Sequence, residues 1–128
     1  MKYCWTVIMV KNLDASIKFY REVLGLMEYM RYPAGSGVEI ALMGEGETQV
    51  ELICNERINE VMIGPDISLG FEAGPLDQMM VRLKRLGIAI LRGPYHPNPR
   101  QKFLYIMDPN GLEIQLIETI ETIKTINK

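Results

Sequence analysis

A single carboxylate stands in an apolar run and is the first candidate for chemistry. Glu51 lies within Val50-Glu51-Leu52-Ile53 and has no cationic residue beside it in the strand that this run predicts. If it faces inward with Gln49 and Ile53, its mostly apolar surroundings suit a carboxylate that accepts a hydrogen bond from a ligand or acts as a base. The alternative is an outward, solvated glutamate on an edge strand.

Three other side chains offer different chemistry. Trp5 is the one tryptophan and could form a floor on which a planar or cationic ligand stacks, or it could fill core volume. His96, the only histidine, lies among three prolines and could act as an acid or base, or remain solvated. The Tyr105 hydroxyl is a candidate donor to a ligand if its face of the strand lines a cleft.

The composition limits the classes of function. The chain has 128 residues and a net charge of −2, with 14 Lys and Arg scattered among 16 Asp and Glu, so no nucleic acid partner is expected. No apolar run approaches the roughly 20 residues that span a bilayer, and no signal-peptide cleavage site is visible, so we expect a cytoplasmic protein without a membrane partner. Cys4 and Cys54 do not form a CxxC motif, and we expect buried free thiols.

The hydrophobic pattern of the first half predicts a strand, a helix and three strands. An apolar run ends at Val10, and Asn12 or Asp14 can then cap a helix that Gly25 terminates. Glycine-rich gaps separate the next strands, which are predicted at Met27 to Tyr32, Val38 to Met43 and Gln49 to Cys54.

The second half repeats this order. Ile67 to Ala73 is strand-like, and Pro75 suits the first turn of a helix that Gly87 terminates. Residues 93–100 are predicted to form a loop stiffened by prolines. Further strands are predicted at Ile88 to Arg92, Lys102 to Met107 and Leu112 to Ile117.

An internal repeat accounts for this order. Leu13-Asp14 leading to Leu24-Gly25 matches Leu76-Asp77 leading to Leu86-Gly87, and Val50 to Ile53 matches Ile114 to Ile117 at nearly the same offset. Two matches in register predict one α+β domain over residues 1–128, built from two βαβββ modules that form curved mixed sheets around a cleft. The modules are predicted at 1–62 and 63–118, with a C-terminal tail at 119–128.

Two segments resemble the vicinal oxygen chelate superfamily, which includes glyoxalase I, ring-cleaving dioxygenases and the bleomycin-resistance binding proteins. Asn12 to Leu26 looks like its first helix, and Asp108 to Leu116, with the sequence DPNGLEIQL, looks like its closing turn and strand. The resemblance covers nearly the whole chain and implies the glyoxalase-like fold. A fold alone does not specify a reaction.

The resemblance also implies where a metal would bind. Metal enzymes of the superfamily hold a divalent ion with one side chain from each of four strands. The corresponding positions in this chain are Trp5, Glu51, Ser68 and Gln115. An indole has no lone pair for a metal, serine is a weak ligand and the amide replaces a carboxylate, so only Glu51 is a strong ligand. We therefore expect no metal and no cofactor.

Three functions follow as alternatives. The first is metal-independent binding of a small amphiphilic molecule in the cleft, with ligand contacts from Trp5, Glu51, Ser68, Gln115, Tyr105 and His96. The second is a lactoylglutathione lyase-like or related isomerase or lyase activity, which either retains weak metal binding through Glu51 or uses Glu51 as the sole base. The third is a degenerate structural domain. A symmetric homodimer is expected, because curved sheets from single modules leave exposed edges.

Overall fold

The structure is a computed structural model, and it describes residues 1–120. The first compact unit covers Met1–Ile63. Its elements are β1 (Thr6–Val10), α1 (Leu13–Glu22), β2 (Glu28–Pro33), β3 (Val38–Glu45) and β4 (Thr48–Asn55). The second unit begins at Gly64. Its elements are β5 (Ser68–Glu72), α2 (Leu76–Arg85), β6 (Arg92–Asn98), β7 (Gln101–Met107) and β8 (Glu113–Thr119).

The two units share one topology. The strand order is β1-β4-β3-β2 in the first sheet and β5-β8-β7-β6 in the second. In each sheet the strand before the helix pairs in parallel with the last strand, and the other pairs are antiparallel. This confirms the α+β fold of two βαβββ modules that the repeat predicted.

Local residues explain where α1 begins and ends. The Asn12 side chain accepts a hydrogen bond from the Ala15 backbone N–H at 3.0 Å, so Asn12 is the cap. Gly25, with a φ of 72°, turns the chain so that the Leu26 N–H donates to the carbonyl of Tyr20 at 2.9 Å. The helix buries Ile17 and Tyr20 against the first sheet.

Each helix covers one face of its sheet. In the first unit, Ala41, Met43 and Leu52 are fully buried on the side of α1. In the second unit, the fully buried residues include Leu83 of α2 and Leu104, Ile106 and Ile114 of the sheet. Because strand side chains alternate, the intervening residues lie on the opposite, helix-free face.

One predicted element is wrong. Residues 93–100 do not form a loop, because β6 continues to Asn98 and carries His96, whereas the segment from Ile88 to Leu91 precedes it. β6 lies at the edge of its sheet and pairs with β7 at only three positions, with register shifts between them. Such an edge accommodates Pro94 and Pro97, which cannot donate a backbone hydrogen bond.

Other details also differ from expectation. Cys4 is exposed and Cys54 is partly buried, so the prediction of two buried thiols is wrong. β8 extends to Thr119, and the remainder of the predicted tail, residues 121–128, lies outside the described residues. Among residues 1–120, no helix is long and apolar enough to cross a membrane.

Candidate functional site

The helix-free face of the first sheet centres on Glu51. β4 is an inner strand, so Glu51 does not lie on an edge strand. Across the sheet, Glu51 lies between Val7 of β1 and Leu42 of β3, and Met30 of β2 follows Leu42. We call this surface the Glu51 face and define it as Val7, Met9, Met30, Tyr32, Ile40, Leu42, Gln49, Glu51 and Ile53.

The Glu51 face is apolar, exposed in part, and carries one acidic group. Val7 and Met30 are each 51% exposed and Tyr32 is 41% exposed. Glu51 itself is half-buried, and within residues 1–120 no side chain or backbone group donates a hydrogen bond or an ion pair to its carboxylate. A carboxylate in this position is available to a ligand.

Trp5 directly precedes β1 and is 36% exposed. Extending the alternation of β1 by one residue places it on the same side as Val7. On this extension, the two predicted site residues Trp5 and Glu51 share one face of the first sheet.

The corresponding face of the second sheet is aromatic and internally hydrogen-bonded. We call it the Tyr105 face and define it as Ser68, Gly70, Arg92, Tyr95, Phe103, Tyr105, Glu113 and Gln115. Gln115 lies between Gly70 of β5 and Tyr105 of β7, and Arg92 of β6 follows Tyr105. The amide of Gln115 donates to the Tyr105 hydroxyl at 3.1 Å.

Arg92 is the charged centre of the Tyr105 face. Its guanidinium donates to Glu113 at 2.5 Å and lies 4.0 Å above the centre of the Tyr105 ring. The hydrogen bond that Arg92 donates to the Glu113 carboxylate raises the pKa of Arg92 further above its usual value, so the cation is retained at every physiological pH. Ser68, which is exposed, lies beside Glu113 in the register of β5 and β8.

His96 lines an open depression on this unit. The depression has a volume of about 550 Å³ and is lined by Arg92, Tyr95, His96, Pro97, Phe103 and Tyr105. Three of the predicted site residues, Ser68, Gln115 and Tyr105, share the open face of one sheet, and His96 joins Tyr105 at the depression.

Sequence reasoning missed Arg92 and Glu113. The spacing of Glu113 and Gln115, two residues apart on one strand, could have identified Glu113 as sharing a face with Gln115. Arg92 could not be assigned, because its position depends on an irregular pairing between β6 and β7.

The donor atoms do not fit a resident transition metal. Residues 1–120 contain no cluster of three or more His, Cys, Asp or Glu side chains with the geometry of a metal site. In the second unit, the carboxylate of Glu113, which neighbours Gln115 on the same face, is neutralised by Arg92. A fixed guanidinium beside the candidate donors opposes binding of a divalent cation.

Paired βαβββ units with open sheet faces define a glyoxalase-like protein. A family model described as the Glyoxalase/Bleomycin resistance protein/Dioxygenase superfamily matches residues 2–116. The chain belongs to this superfamily.

Individual proteins agree with this assignment. The chain is 30% identical to a lactoylglutathione lyase from Oryza sativa subsp. japonica over 96% of its own length and 46% of that protein, so it spans about half of this relative. The trypanothione-dependent glyoxalase I of Leishmania major has a similar structure, with a TM-score of 0.81, 19% identity, and coverage of 99% of this chain and 93% of that one. A glyoxalase I variant from Zea mays has a TM-score of 0.73 and 26% identity, over 94% of this chain and 48% of that one.

Proposed function

We propose that this chain binds a small amphiphilic molecule without a resident metal ion. The observation that carries the proposal is the carboxylate of Glu51, which lies on an inner strand among apolar side chains and has no hydrogen-bond or ion-pair partner within residues 1–120. A half-buried carboxylate without a partner is unfavourable unless water or a ligand satisfies it. A ligand that donates a hydrogen bond or carries a cation would supply the missing partner.

The surroundings of Glu51 indicate the rest of the ligand. Val7, Met30 and Tyr32 leave apolar surface exposed, and Trp5 offers an aromatic face at the end of β1. Burial of these groups against an apolar or planar body would provide most of the binding free energy, and Glu51 would orient the ligand. Methionine side chains adapt to ligands of different shape.

A lyase or isomerase is the second candidate. It is favoured by the 30% identity to a lactoylglutathione lyase and by the retention of a carboxylate at position 51. In this alternative, Glu51 would act as the base that transfers a proton.

The test is a ligand screen by thermal shift, with and without added Ni²⁺, Zn²⁺ and Mn²⁺, followed by calorimetry on two variants. We expect Trp5→Ala to weaken binding of a ligand from the screen by roughly 2 to 4 kcal/mol, as at an interface hot spot. Glu51→Gln should weaken the binding of a cationic ligand more than the binding of a neutral ligand. Met62→Ala, at an exposed loop position, is the control.

The enzymatic alternative expects a different result. Lactoylglutathione lyase activity that requires added metal or disappears in Glu51→Gln would favour the enzyme and contradict the binding proposal. Elemental analysis after chelator-free purification is expected to find no stoichiometric transition metal, and about one bound ion per chain would also contradict it.

We also infer that the chain forms a symmetric homodimer. Exposed apolar side chains such as Val7, Met30 and Tyr32 favour burial against a second copy. Light scattering is expected to report a dimer, and a monomer at high protein concentration would contradict the inference.

A further inference from the structure

The second unit carries a group of aromatic rings that the Glu51 proposal does not use. Tyr95 and Phe103 are cross-strand partners with ring centres 5.5 Å apart, and Phe103 and Tyr105 have ring centres 5.9 Å apart at 90°. All three rings line the depression of about 550 Å³. This volume lies within the range of small-molecule sites, and adjoining rings give a planar molecule a surface on which to stack.

The charge at this depression is positive toward solvent. The side chain of Arg92 is 42% exposed, whereas that of its partner Glu113 is only 11% exposed. The guanidinium of Arg92 is therefore accessible to solvent, whereas the carboxylate of Glu113 is largely covered. One nitrogen of the guanidinium bonds to Glu113, and the remaining N–H groups can donate to a ligand.

The other polar groups at the depression are mainly donors. The Tyr105 hydroxyl accepts from Gln115, so its own hydrogen remains to be donated. Tyr95 and His96 line the same depression, and among residues 1–120 no carboxylate belongs to its lining. A cationic ligand is disfavoured here, because Arg92 already lies over the Tyr105 ring and would repel it.

We propose that the Tyr105 face binds a planar aromatic carboxylate, with the ring system on Tyr95 and Phe103 and the carboxylate on the free N–H groups of Arg92. A planar guanidinium matches a carboxylate in a bidentate arrangement, which favours this anion. The inference goes beyond the proposed function, because it names a ligand class for the second unit and does not depend on Glu51.

The test measures binding of three probes by titration with NMR detection. Naphthalene-2-carboxylate is expected to bind about tenfold more tightly than 2-naphthylmethylammonium, which has the same rings and the opposite charge. It is also expected to bind about tenfold more tightly than cyclohexanecarboxylate, which has the charge without the aromatic rings. Equal binding of the three probes would overturn the proposal.

Two variants locate the site. Arg92→Lys keeps the positive charge but removes the planar fork, and Phe103→Leu keeps the apolar character but removes the ring. Each variant is expected to bind naphthalene-2-carboxylate about five- to tenfold more weakly than the wild type does. Arg31→Lys, which alters the arginine on β2 of the first unit, is the matched control and should leave the affinity unchanged.

Further measurements distinguish a folding defect from a loss of binding, and the failure of one proposal from the failure of the other. Thermal denaturation identifies a variant that fails to fold, and Tyr95→Leu, at a 43% exposed ring, then replaces it. Naphthalene-2-carboxylate binding that depends on Trp5 and not on Arg92 would overturn this inference and leave the proposed function standing. A ligand screen without any hit, combined with Arg92-dependent binding of this probe, would instead leave only the second-unit site.

Discussion

The same four positions across the two sheets carry different chemistry. Val7, Glu51, Leu42 and Met30 cross the first sheet in the order in which Gly70, Gln115, Tyr105 and Arg92 cross the second. Within residues 1–120, the Glu51 carboxylate of the first sheet has no partner, whereas in the second sheet the Gln115 amide donates to Tyr105 and Arg92 donates to Glu113. A repeated backbone thus presents an apolar acidic surface in one unit and an aromatic cationic surface in the other.

The arginines of β2 and β6 show how alternation produces this difference. Arg31 pairs with Ala41 in register and points to the helix side, where it donates to Asp14 at 2.8 Å and to Glu39 at 2.9 Å. Arg92 pairs with Tyr105 and lies on the open face. One arginine therefore joins a helix to its sheet, and the other is available to a ligand.

The turns before the last strands also differ. The chain reverses between β3 and β4 just after Gly44, the penultimate residue of β3, where φ is 86° and a Cβ atom would lie 1.9 Å from the Thr48 carbonyl oxygen. Between β7 and β8, the buried Asp108 accepts backbone hydrogen bonds from Asn110 and Leu112, both at 2.8 Å. The first turn requires a residue without a side chain at position 44, whereas the second requires the side chain of Asp108.

The largest effects on stability are expected at core positions that carry the same residue in both units. Leu52 and Leu116 are equivalent core residues, with exposures of 0% and 1%. We expect Leu52→Ala and Leu116→Ala each to lower the free energy of unfolding by roughly 2 to 5 kcal/mol, measured by urea denaturation. Val7→Ala, on the open face, is the control. A small effect in one unit alone would show that the two cores are not equivalent.

The β3–β4 turn should be destabilised by adding a side chain, and the β7–β8 turn by removing one. Gly44→Ala forces a side chain into backbone at positive φ, and Asp108→Ala leaves two buried N–H groups without an acceptor. Both are expected to cost roughly 2 to 4 kcal/mol in thermal or urea unfolding. Asp108→Asn keeps an acceptor oxygen and should cost less. An Asp108→Asn variant as unstable as Asp108→Ala would argue against the hydrogen-bonding role.

A smaller effect is expected within the Tyr105 face. Tyr105→Phe removes the hydroxyl that accepts from Gln115 and should destabilise the protein by about 1 kcal/mol. Tyr95→Phe removes a hydroxyl from a more exposed ring of the same depression and should have almost no effect on stability. Equal results for both variants would show that the Gln115 bond adds nothing to stability.

The smallest effect concerns the ion pair of Arg31. Its hydrogen bond to Glu39 lowers the pKa of this carboxyl below the usual value of 4.5. Because the folded pKa is the lower one, the pair stabilises the protein above this value, and the contribution is lost as the pH falls below it. Urea denaturation between about pH 5 and about pH 3 should show a shallower loss of stability in Glu39→Gln than in the wild type. Glu45→Gln, at an exposed site, should retain the wild-type slope.

Several features could be predicted because their causes are local. The spacing of Leu13-Asp14 and Leu76-Asp77, the glycines after each helix and the alternation in Val50 to Ile53 predicted the two modules. The same alternation predicted that Glu51 shares a face with Gln49 and Ile53. The β6 strand was missed, since its prolines indicate a loop and only pairing with β7 makes them an edge strand.

The sequence by itself determined the order of the elements, the repeat and the positions at which polar side chains interrupt apolar strands, because these depend on neighbours along the chain. Only the tertiary structure decided which of those side chains are satisfied. Asn12 caps α1 from the adjacent position, but α2 follows Pro75, and its Leu76 N–H donates to Glu118 on β8. Gln115 likewise donates a hydrogen bond to Tyr105 on the adjacent strand, and Glu113 accepts one from Arg92 on β6. Such partners are brought together by strand register, which no local pattern specifies.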